Sequence, residues 1–436
     1  MRTPAILIAA PASGSGKTTT TLAVLRALRR RGLRVGSFKV GPDYIDPEFH
    51  ARATGRPCHN LDSWAMRFGT LAALLDAAGR DADIVVGEGV MGLFDGAPDG
   101  SGSTADIAAL LGLPVVLVLD VRAMGASVAA LADGFVRFRE DVDVTALILN
   151  RVGSEAHDRA LREALDARLS TPVLGAFPQL GGLALPSRHL GLVLAQEHGD
   201  LEAFLDGAAA AAEGALDLDR LVRLARPPSV ATLHAEAVPV PPPGQRIALA
   251  RDAAFAFAYA ATLQGWRRRG AELVPFSPLA DEAPDAAADA VVLPGGYPEL
   301  HAGRLAGSGR FLAGLRAAAA RGAFVYGECG GYMVLGEALV DAQSLRHPMA
   351  GLLPVVTSFA ERRRHLGYRR IELLDGCPLG EAGTGFRGHE FHYACEIANH
   401  GVPFLRAADV RGHELGPVGC RAGSVAGSFL HLIDRT

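Results

Sequence analysis

Short, nearly continuous hydrophobic runs recur along the chain and alternate with longer stretches of helical periodicity. The first run, AILIAA at positions 5–10, precedes a Gly/Ser-rich turn and a stretch over 17–31 whose leucines fall three residues apart. A glycine, Gly32, follows directly and is typical of a helix C-terminus. This pattern predicts a buried strand, a turn and a helix, in that order.

The first half of the chain continues with four more runs of the same kind: RVGSFKV, DIVVGE, PVVLVLD and VTALILN. Strands that are apolar on both faces are typical of a parallel sheet that is covered by helices on both sides. We therefore expect a doubly wound α/β domain over residues 1–224.

A proline-rich segment interrupts the alternation at 225–245, where six prolines and little periodicity predict an interdomain linker. Strand-like runs then resume with RIALA, ELVPF, AVVLPGG and AFVYGECGG. The pattern predicts a second α/β domain over residues 246–436.

The composition is that of a globular protein without a strongly charged partner. Hydrophobic residues make up 49% of the 436 residues, charged residues 21%, and the formal net charge is −4. This balance gives no reason to expect a nucleic acid or a membrane surface as partner, and the apolar runs are too short to span a bilayer.

The N-terminal segment has a motif where a signal peptide would have its cleavage site. Five cysteines without a C-x-x-C pair argue against a disulfide framework or a zinc site and favour a cytoplasmic location.

Lysine is nearly absent from the chain. It occurs only as Lys17 and Lys39, whereas the other 41 of the 43 basic residues are arginine. An ammonium group is a compact point charge, while a guanidinium group is a broad, planar fork. The two lysines therefore indicate positions that need a compact cation.

The turn after the first strand has the sequence of a phosphate-binding loop that leads into a helix. Backbone amides of the glycines would converge on an anion, Lys17 would reach the β- and γ-phosphates, and the Thr18 hydroxyl would bind Mg²⁺. Pro11 stands where this motif normally has its first glycine. A chance Gly/Ser turn is the alternative, and the strand–turn–helix context disfavours it. The residues predicted to bind ATP here are Gly14, Ser15, Gly16, Lys17 and Thr18.

Acidic residues follow the strand DIVVGE and are candidates for the same nucleotide site. Glu88 ends the strand and is predicted to bind Mg²⁺ together with Thr18. Asp95 lies in the turn that follows and is a candidate for phosphoryl chemistry. A solvated strand end for Glu88 and a turn-forming role for Asp95 are the alternatives.

The loop FKVGPDYIDPEFH contains the second lysine together with two aspartates. We expect Lys39 to contact phosphate, and Asp43 and Asp46 to lie beside it. A tight turn without chemistry is the alternative, and the presence of a lysine in a nearly lysine-free chain argues against it.

The segment AFVYGECGGYMVLG predicts a strand, a sharp turn and a helix, the arrangement of a nucleophile elbow. Cys329 would be exposed on the turn, and the helix N-terminus would lower the pKa of its thiol. The backbone N–H groups of Gly330, Gly295 and Gly296 are candidate oxyanion donors, and His431 is the candidate base. An inert core cysteine is the alternative here, and we take the other four cysteines as structural.

Taken together, the motifs resemble the cobyrinic acid and hydrogenobyrinic acid a,c-diamide synthases of cobalamin biosynthesis, over essentially the whole chain. The stretch KVGPDYIDP is the most specific part of the resemblance. The resemblance as a whole rests on SGSGKTT (13–19), FKVGPDYIDPEFH (38–50), GEGVMGLFDG (87–96), LPSRHLGLV (185–193), PGGYPELHA (294–302), GECGGYM (327–333), GHEFHY (388–393) and GSFLHL (427–432).

This resemblance implies an N-terminal synthetase domain like dethiobiotin synthetase and a C-terminal class I glutaminase domain. It implies that Cys329 is the nucleophile with His431 as its base, and that Asn150 contacts adenine. Ile433 stands where the wider glutaminase class has the third triad residue, so we expect a slow or gated glutaminase. The residues tied to substrate or phosphoryl chemistry are Asp43, Tyr44, Ile45, Asp46, Asp95, Arg188 and His189.

The activity that the resemblance implies is amidation of corrinoid carboxylates through an acyl phosphate. Its co-substrates would be ATP and L-glutamine, and its cofactor would be Mg²⁺. The c-carboxylate would be amidated before the a-carboxylate. A homodimer is compatible with the sequence. The preference for arginine suggests a GC-rich genome and favours a metal-free corrinoid.

Two other functions are open at this point. Cobyric acid synthases share both domains but not the DYIDP loop. A partitioning-type ATPase switch also fits the variant phosphate loop, although it has no use for the cysteine elbow or the PGG segment.

Overall fold

The computed structural model describes residues 3–179, 187–188, 191–229 and 237–436. The chain forms two compact units, and a short segment of the N-terminal half belongs to the second one. The first unit comprises Met1–Trp64 and Leu71–Ala235, and the second comprises Ala65–Thr70 and Glu236–Thr436. In the part of the chain that the structure describes, no helix is both long and apolar enough to cross a membrane.

The first unit is built on a parallel sheet of seven strands in the order β3-β2-β4-β1-β5-β6-β7. Its strands are β1 (Ala5–Ala9), β2 (Val35–Val40), β3 (Cys58–Leu61), β4 (Ile84–Glu88), β5 (Val115–Asp120), β6 (Val144–Val152) and β7 (Val173–Pro178), and a small pair follows, β8 (Ser187–Arg188) and β9 (Gly191–Leu192). The helices are α1 (Lys17–Arg30), α2 (Asp46–Thr54), α3 (Phe68–Gly79), α4 (Thr104–Leu111), α5 (Ser127–Arg137), α6 (Glu155–Asp166), α7 (Leu201–Ala215) and α8 (Leu218–Leu224), with a 3₁₀ turn at Ala195–Glu197.

The predicted parallel sheet is confirmed, and the predicted helix over 17–31 is α1. Strands β1, β4 and β5 are buried along almost their whole length, as expected for a sheet that is covered on both faces. The sequence pattern missed β3, whose residues CHNL are buried but include the polar His59 and Asn60. It also missed β7, VLGAFP, which a proline ends.

The second unit contains a six-stranded sheet in the order β11-β10-β12-β13-β23-β22, a four-stranded sheet β15-β14-β16-β19, and a five-stranded antiparallel sheet β21-β20-β17-β18-β24. Its strands are β10 (Arg246–Ala250), β11 (Glu272–Phe276), β12 (Ala290–Leu293), β13 (Phe324–Glu328), β14 (Ala338–Val340), β15 (Arg346–Pro348), β16 (Val355–Ser358), β17 (His365–Leu373), β18 (Gly385–His392), β19 (Cys395–Asn399), β20 (Leu405–Ala408), β21 (Glu414–Val418), β22 (Cys420–Ala422), β23 (Val425–Ser428) and β24 (His431–Arg435). The helices are α9 (Ala260–Arg268), α10 (Ala302–Gly307), α11 (Gly309–Ala320) and α12 (Gly330–Leu335), with 3₁₀ turns at Pro278–Ala280 and Pro298–Leu300.

Alternating residues of the six-stranded sheet build a hydrophobic core on each of its faces. Leu293 and Val325 belong to one cluster of buried side chains, while Val292 and Tyr326 belong to the other. Both faces of the sheet are therefore covered. A functional site is expected at the carboxyl ends of strands such as β12 and β13.

The described ends of the proline-rich segment 225–245 are packed against their neighbours. Arg226 forms a β-bridge with Ala5, and Val240 accepts a hydrogen bond of 3.0 Å from the Trp266 indole. The role of this segment as a linker stays a prediction.

Candidate functional site

The phosphate-binding loop connects β1 to α1 and uses glycines in the left-handed region. Gly14 and Gly16 have φ values of 79° and 88°, which favour glycine over other residues. A Cβ at Gly16 would collide with the side-chain amide of Asn150. Asn150 Nδ2 donates a 2.8 Å hydrogen bond to the Ser15 carbonyl, so this side chain braces the loop from the end of β6. Its predicted contact with adenine stays a prediction.

Lys39 lies near the carboxyl end of β2 and is buried between two carboxylates. Lys39 and Glu88 are direct neighbours in the register of β2 and β4, and Lys39 Nζ lies 2.7 Å from Glu88 Oε1. Asp46 begins α2, and its Oδ2 lies 2.6 Å from the same ammonium. Burial acts to lower the pKa of Lys39, but the charges of Asp46 and Glu88 outweigh burial and raise it. Lys39 is therefore a fixed cation at this site.

Glu88 is the centre of the cluster and also contacts Thr18 and His50. Thr18 Oγ1 donates to Glu88 Oε1 over 2.5 Å, and His50 Nε2 lies 2.6 Å from Glu88 Oε2. Burial would raise the pKa of Glu88, but the Lys39 charge and the His50 hydrogen bond lower it well below its usual range. The contact of His50 with Glu88 was not predicted, because no spacing in the sequence indicates that α2 packs beside the end of β4.

Asp43 and Asp46 supply the other two carboxylates of the cluster. Burial, and then the charge of Asp43, raise the pKa of Asp46 to about 7. Asp43 Oδ1 itself accepts hydrogen bonds from the backbone amides of Ile45 and Asp46, at 2.8 and 3.2 Å, and so shapes the entry into α2. The pKa of Lys17 is lowered by burial and by the nearby charge of Lys39.

The oxygen atoms of this cluster form a donor set that fits Mg²⁺. Thr18 Oγ1 lies 2.5 Å from Glu88 Oε1 and 3.4 Å from Asp46 Oδ2, and hydroxyl and carboxylate oxygens are the ligands that this ion prefers. The residues present therefore fit the ion that the sequence predicts.

Other predicted residues of the first unit lie near the loop or outside the described chain. Asp95 Oδ2 accepts a 2.9 Å hydrogen bond from the Gly92 amide, and the neighbouring Leu93 amide donates to the Ala10 carbonyl at the end of β1. Ile45 is buried before α2, and Tyr44 beside it is half-buried. Arg188 lies on β8, and His189 lies outside the described residues. The substrate or phosphoryl roles of all these residues stay predictions.

In the second unit, the predicted elbow is present between β13 and α12. Cys329 adopts φ 48° and ψ −103°, a strained conformation for a residue with a Cβ that is typical of functional sites. Its backbone amide donates a hydrogen bond of 2.8 Å to the Ser428 carbonyl, and this bond attaches the turn to β23. A Cβ at Gly331 would collide with the Leu293 carbonyl, and this explains the second of the two glycines that follow Cys329.

The expectations of an exposed thiol and a lowered pKa at Cys329 were both wrong. The side chain is only 2% exposed, and burial raises the pKa of the thiol, with a further increase from the charge of Glu299. The hydrogen bond from the Gly330 amide acts in the opposite direction but is outweighed. The thiol therefore needs a nearby base to ionise, because the helix N-terminus is not sufficient.

His431 and the predicted oxyanion glycines lie beside Cys329. A Cβ at Gly295 would be 2.6 Å from His431 Cε1 and 3.4 Å from Cys329 Cβ, so this glycine lies between the imidazole and the thiol side chain. A Cβ at Gly330 would be 3.0 Å from the Gly296 nitrogen. The structure thus brings all five predicted residues together, and the oxyanion role of the three glycines stays a prediction.

Two residues that the sequence reasoning missed contact His431. Glu328 Oε2 lies 3.6 Å from His431 Nδ1, and the His389 ring lies 4.8 Å from the His431 ring, across the pairing of β18 with β24. Burial, and then the charge of His431, lower the pKa of His389 well below its usual range. A signal was available for both, because Glu328 adjoins the cysteine and His389 belongs to the segment GHEFHY.

The same segment contributes an ion-pair network on β17 and β18. His365, Glu390 and His392 bring their ligand-type atoms within 4.8 Å of one another, and Arg369 lies 2.7 Å from Glu390. Burial would raise the pKa of Glu390, but His392 and Arg369 lower it to about 2. The guanidinium already neutralises this carboxylate, so the network is explained without a metal ion.

Substitution of Gly295 by alanine is expected to abolish glutamine hydrolysis without unfolding the protein. The new methyl group would overlap with His431 Cε1 and move the imidazole away from the thiol. Gly303→Ala is a matched control, because a Cβ there has its nearest neighbour at an ordinary 3.7 Å. Glutamate release and thermal unfolding should be measured for both variants. Wild-type glutamate release by Gly295→Ala would contradict the placement of His431.

A phosphate-binding loop on a parallel sheet, together with a cysteine elbow on a second α/β unit, defines a class of nucleotide-dependent glutamine amidotransferases. Residues 6–193 match the CobQ/CobB/MinD/ParA nucleotide binding domain, and residues 246–435 match the CobB/CobQ-like glutamine amidotransferase domain. The two-domain α/β fold predicted from the sequence is confirmed.

Curated relatives of nearly the same length identify the family. The chain is 56% identical over 430 residues to a protein of Brucella anthropi, 55% over 432 residues to one of a Sinorhizobium species, and 53% over 432 residues to one of Rhodobacter capsulatus. Each alignment covers 98% of both chains, and each relative is named hydrogenobyrinate a,c-diamide synthase. The chain belongs to this family of carbon–nitrogen ligases, and the resemblance stated above is confirmed.

Proposed function

We propose that the protein converts the a- and c-carboxylates of hydrogenobyrinic acid to amides, with ATP for activation and glutamine as nitrogen donor. Cobyrinic acid, the cobalt-containing corrinoid, is the alternative substrate. The observation that carries the proposal is the presence of two candidate sites in one chain. One is the phosphate loop with its lysine–carboxylate cluster, and the other is the Cys329 elbow beside His431.

In the synthetase reaction, a corrinoid carboxylate oxygen attacks the γ-phosphorus of ATP, ADP leaves, and an acyl phosphate forms. Ammonia then attacks the carbonyl carbon and phosphate leaves with the C–O bond electrons. Phosphorylation is needed because a carboxylate is a poor electrophile at neutral pH. Lys17 and Lys39 would stabilise the charge on the transferred group, and Lys39 also forms ion pairs with Asp46 and Glu88. The contact of Lys39 with phosphate stays a prediction.

Mg²⁺ is the metal that this half of the reaction would use. Thr18, Glu88 and Asp46 would hold it, and the ion would neutralise charge on the phosphates of ATP. These oxygens lie close together because α2 begins, and β4 ends, at the carboxyl edge of the sheet.

In the glutaminase reaction, Cys329 Sγ attacks the amide carbon of glutamine and its proton passes to His431. The imidazolium returns a proton to the departing nitrogen, so that ammonia leaves and a thioester remains. Water then hydrolyses the thioester to glutamate. The backbone amides of Gly330 and of Gly295 or Gly296 would stabilise the oxyanion in both steps.

The remaining parts of the proposal concern location and assembly. We propose that the protein acts in the cytoplasm, where its five free thiols would stay reduced. A homodimer is compatible with this account, and neither a nucleic acid nor a membrane has a role in it.

Nucleotide turnover with and without glutamine tests the proposal against a partitioning-type ATPase. A ligase should hydrolyse ATP rapidly only when both the corrinoid and a nitrogen source are present, with one ADP formed for each amide. Rapid ATP hydrolysis whose rate does not depend on glutamine or on the corrinoid would contradict the proposal. Cobyric acid synthase activity would appear as amidation of a corrinoid whose a- and c-carboxylates are already amides.

Substitution of Asp46 by asparagine should slow amidation by roughly 10-fold or more, or stall it after one amide, because a buried charge beside Lys39 is lost. Glutamate release measured alone should change little, since Asp46 belongs to the first unit. Asp133→Asn removes a partly exposed carboxylate from α5 and serves as control. A selective loss of glutaminase, with ammonium-dependent amidation intact, would contradict this assignment.

A further inference from the structure

We infer that Glu328 is a positioning residue that orients His431 and stabilises its protonated form. The inference rests on the proposed glutaminase roles of Cys329 and His431. Ile433, which stands where the class I resemblance predicts a carboxylate, is a fully buried apolar side chain that cannot orient an imidazole. The carboxylate instead comes from β13, the strand that carries the nucleophile.

One oxygen of Glu328 is fixed while the other is directed to the histidine. Oε1 accepts a 3.0 Å hydrogen bond from the Tyr326 hydroxyl and a 3.3 Å hydrogen bond from the Leu432 amide. Oε2 lies 3.6 Å from His431 Nδ1, which is an ion-pair distance and longer than a hydrogen bond. Such contacts commonly shorten when substrate binds and the base takes up its proton.

The position of the imidazole ring explains why Nδ1 is the nitrogen that faces the carboxylate. His431 begins β24 and pairs with His389 on β18, while Gly295 leaves no space for a side chain beside Cε1. With Nδ1 directed to Glu328, Nε2 is the nitrogen left to accept the thiol proton. This is the division of roles in a triad of nucleophile, histidine and carboxylate.

The charge of Glu328 also determines where the thiol proton can go. Burial is the main reason that the pKa of Cys329 is raised, and the negative charges of Glu299 and Glu328 raise it further. Loss of the proton to solvent is therefore disfavoured. Transfer to His431 is favoured, because the imidazolium that forms is adjacent to the Glu328 carboxylate. The same charge thus opposes an isolated thiolate and supports a thiolate–imidazolium pair.

His389 is the other group close to His431, and it is less suited to this role. Burial and the His431 charge lower its pKa far below the usual range, so its imidazole is neutral. A neutral ring can restrict the orientation of His431 but cannot balance a positive charge as a carboxylate does.

The test is a series of three variants, Glu328→Gln, Glu328→Asp and Tyr326→Phe, assayed for glutamate release. Glutamine at 328 can still accept both hydrogen bonds through its amide oxygen, so this variant replaces the carboxylate oxygen that faces His431 Nδ1 with an uncharged NH₂ donor. We expect its kcat to fall by about 10²-fold with little change in KM for glutamine, as is typical for the loss of acid–base support. Glu328→Asp should retain more activity than Glu328→Gln, and Tyr326→Phe should lose less than either.

Amidation with ammonium is the control that separates this inference from the proposed function. All three variants should form the amide from ammonium at the wild-type rate. A Glu328→Gln kcat within twofold of wild type, or equal losses in Glu328→Gln and Glu328→Asp, would overturn the positioning role. Glutamine-dependent activity that survives in Cys329→Ser would instead contradict the proposed function itself.

Discussion

Cys329→Ser should abolish glutamine-dependent amidation, with a fall of at least ~10³-fold, the scale expected for the loss of a catalytic nucleophile. The thiol is buried, and in the proposed mechanism it ionises by transfer of its proton to His431, which lies beside it. A serine hydroxyl in the same place is a far poorer nucleophile than a thiol. Glutamate and amide formation should be measured together.

The same variant should still form the diamide when high ammonium is supplied at alkaline pH, because free ammonia can attack the acyl phosphate directly. His431→Ala should behave in the same way. Wild-type glutamine use by Cys329→Ser would show that the elbow is structural. Loss of the ammonium reaction in a folded Cys329→Ser protein would show that the two chemistries are coupled more tightly than separate units suggest.

Lys17→Arg is expected to remove synthetase activity with either nitrogen source, by about 10²-fold or more, although the positive charge is retained. Lys17 is only 8% exposed at the start of α1, close to the charges of Lys39 and Glu88. A broad, planar guanidinium does not fit where a compact ammonium does. The measurement is amide formation with glutamine and with ammonium.

The matched control for this substitution is Arg30→Lys on the same helix, whose side chain is 41% exposed. It should leave amidation unchanged, and both variants should release glutamate at wild-type rates and unfold at wild-type temperatures. Near-normal amidation by Lys17→Arg would remove the phosphate-loop assignment.

Local features of both sites could be predicted from the sequence. The strand–glycine–helix pattern predicts the phosphate loop, and G-E-C-G-G predicts the elbow, because each depends on neighbouring residues and on glycines that the local backbone requires. The nearly lysine-free composition also pointed to Lys39, whose ammonium the structure places in the carboxylate cluster.

Features that depend on packing could not be predicted in this way. The pairing of His50 with Glu88 joins α2 to β4, and no local pattern reports that distance. The pKa of Cys329 rises because many distant residues bury it, whereas the sequence reveals only the helix N-terminus that follows.

The direction of the Glu328 side chain is a further example. Neighbouring residues of a regular strand point to opposite faces, so Glu328 and Cys329 would not be expected to serve one histidine. The positive φ of Cys329 ends this alternation, and both side chains come close to His431.

The most direct test of the account is to incubate the protein with hydrogenobyrinic acid, ATP, Mg²⁺ and amide-labelled glutamine and to determine the mass of the corrinoid product. The account predicts a product in which two carboxyl OH groups have been replaced by NH₂, with both nitrogens derived from the glutamine side chain. An unchanged corrinoid, while cobyrinic acid is converted to its diamide, would assign the cobalt-containing substrate. Recovery of both corrinoids without any labelled amide, from a folded protein that binds ATP, would contradict the proposed function.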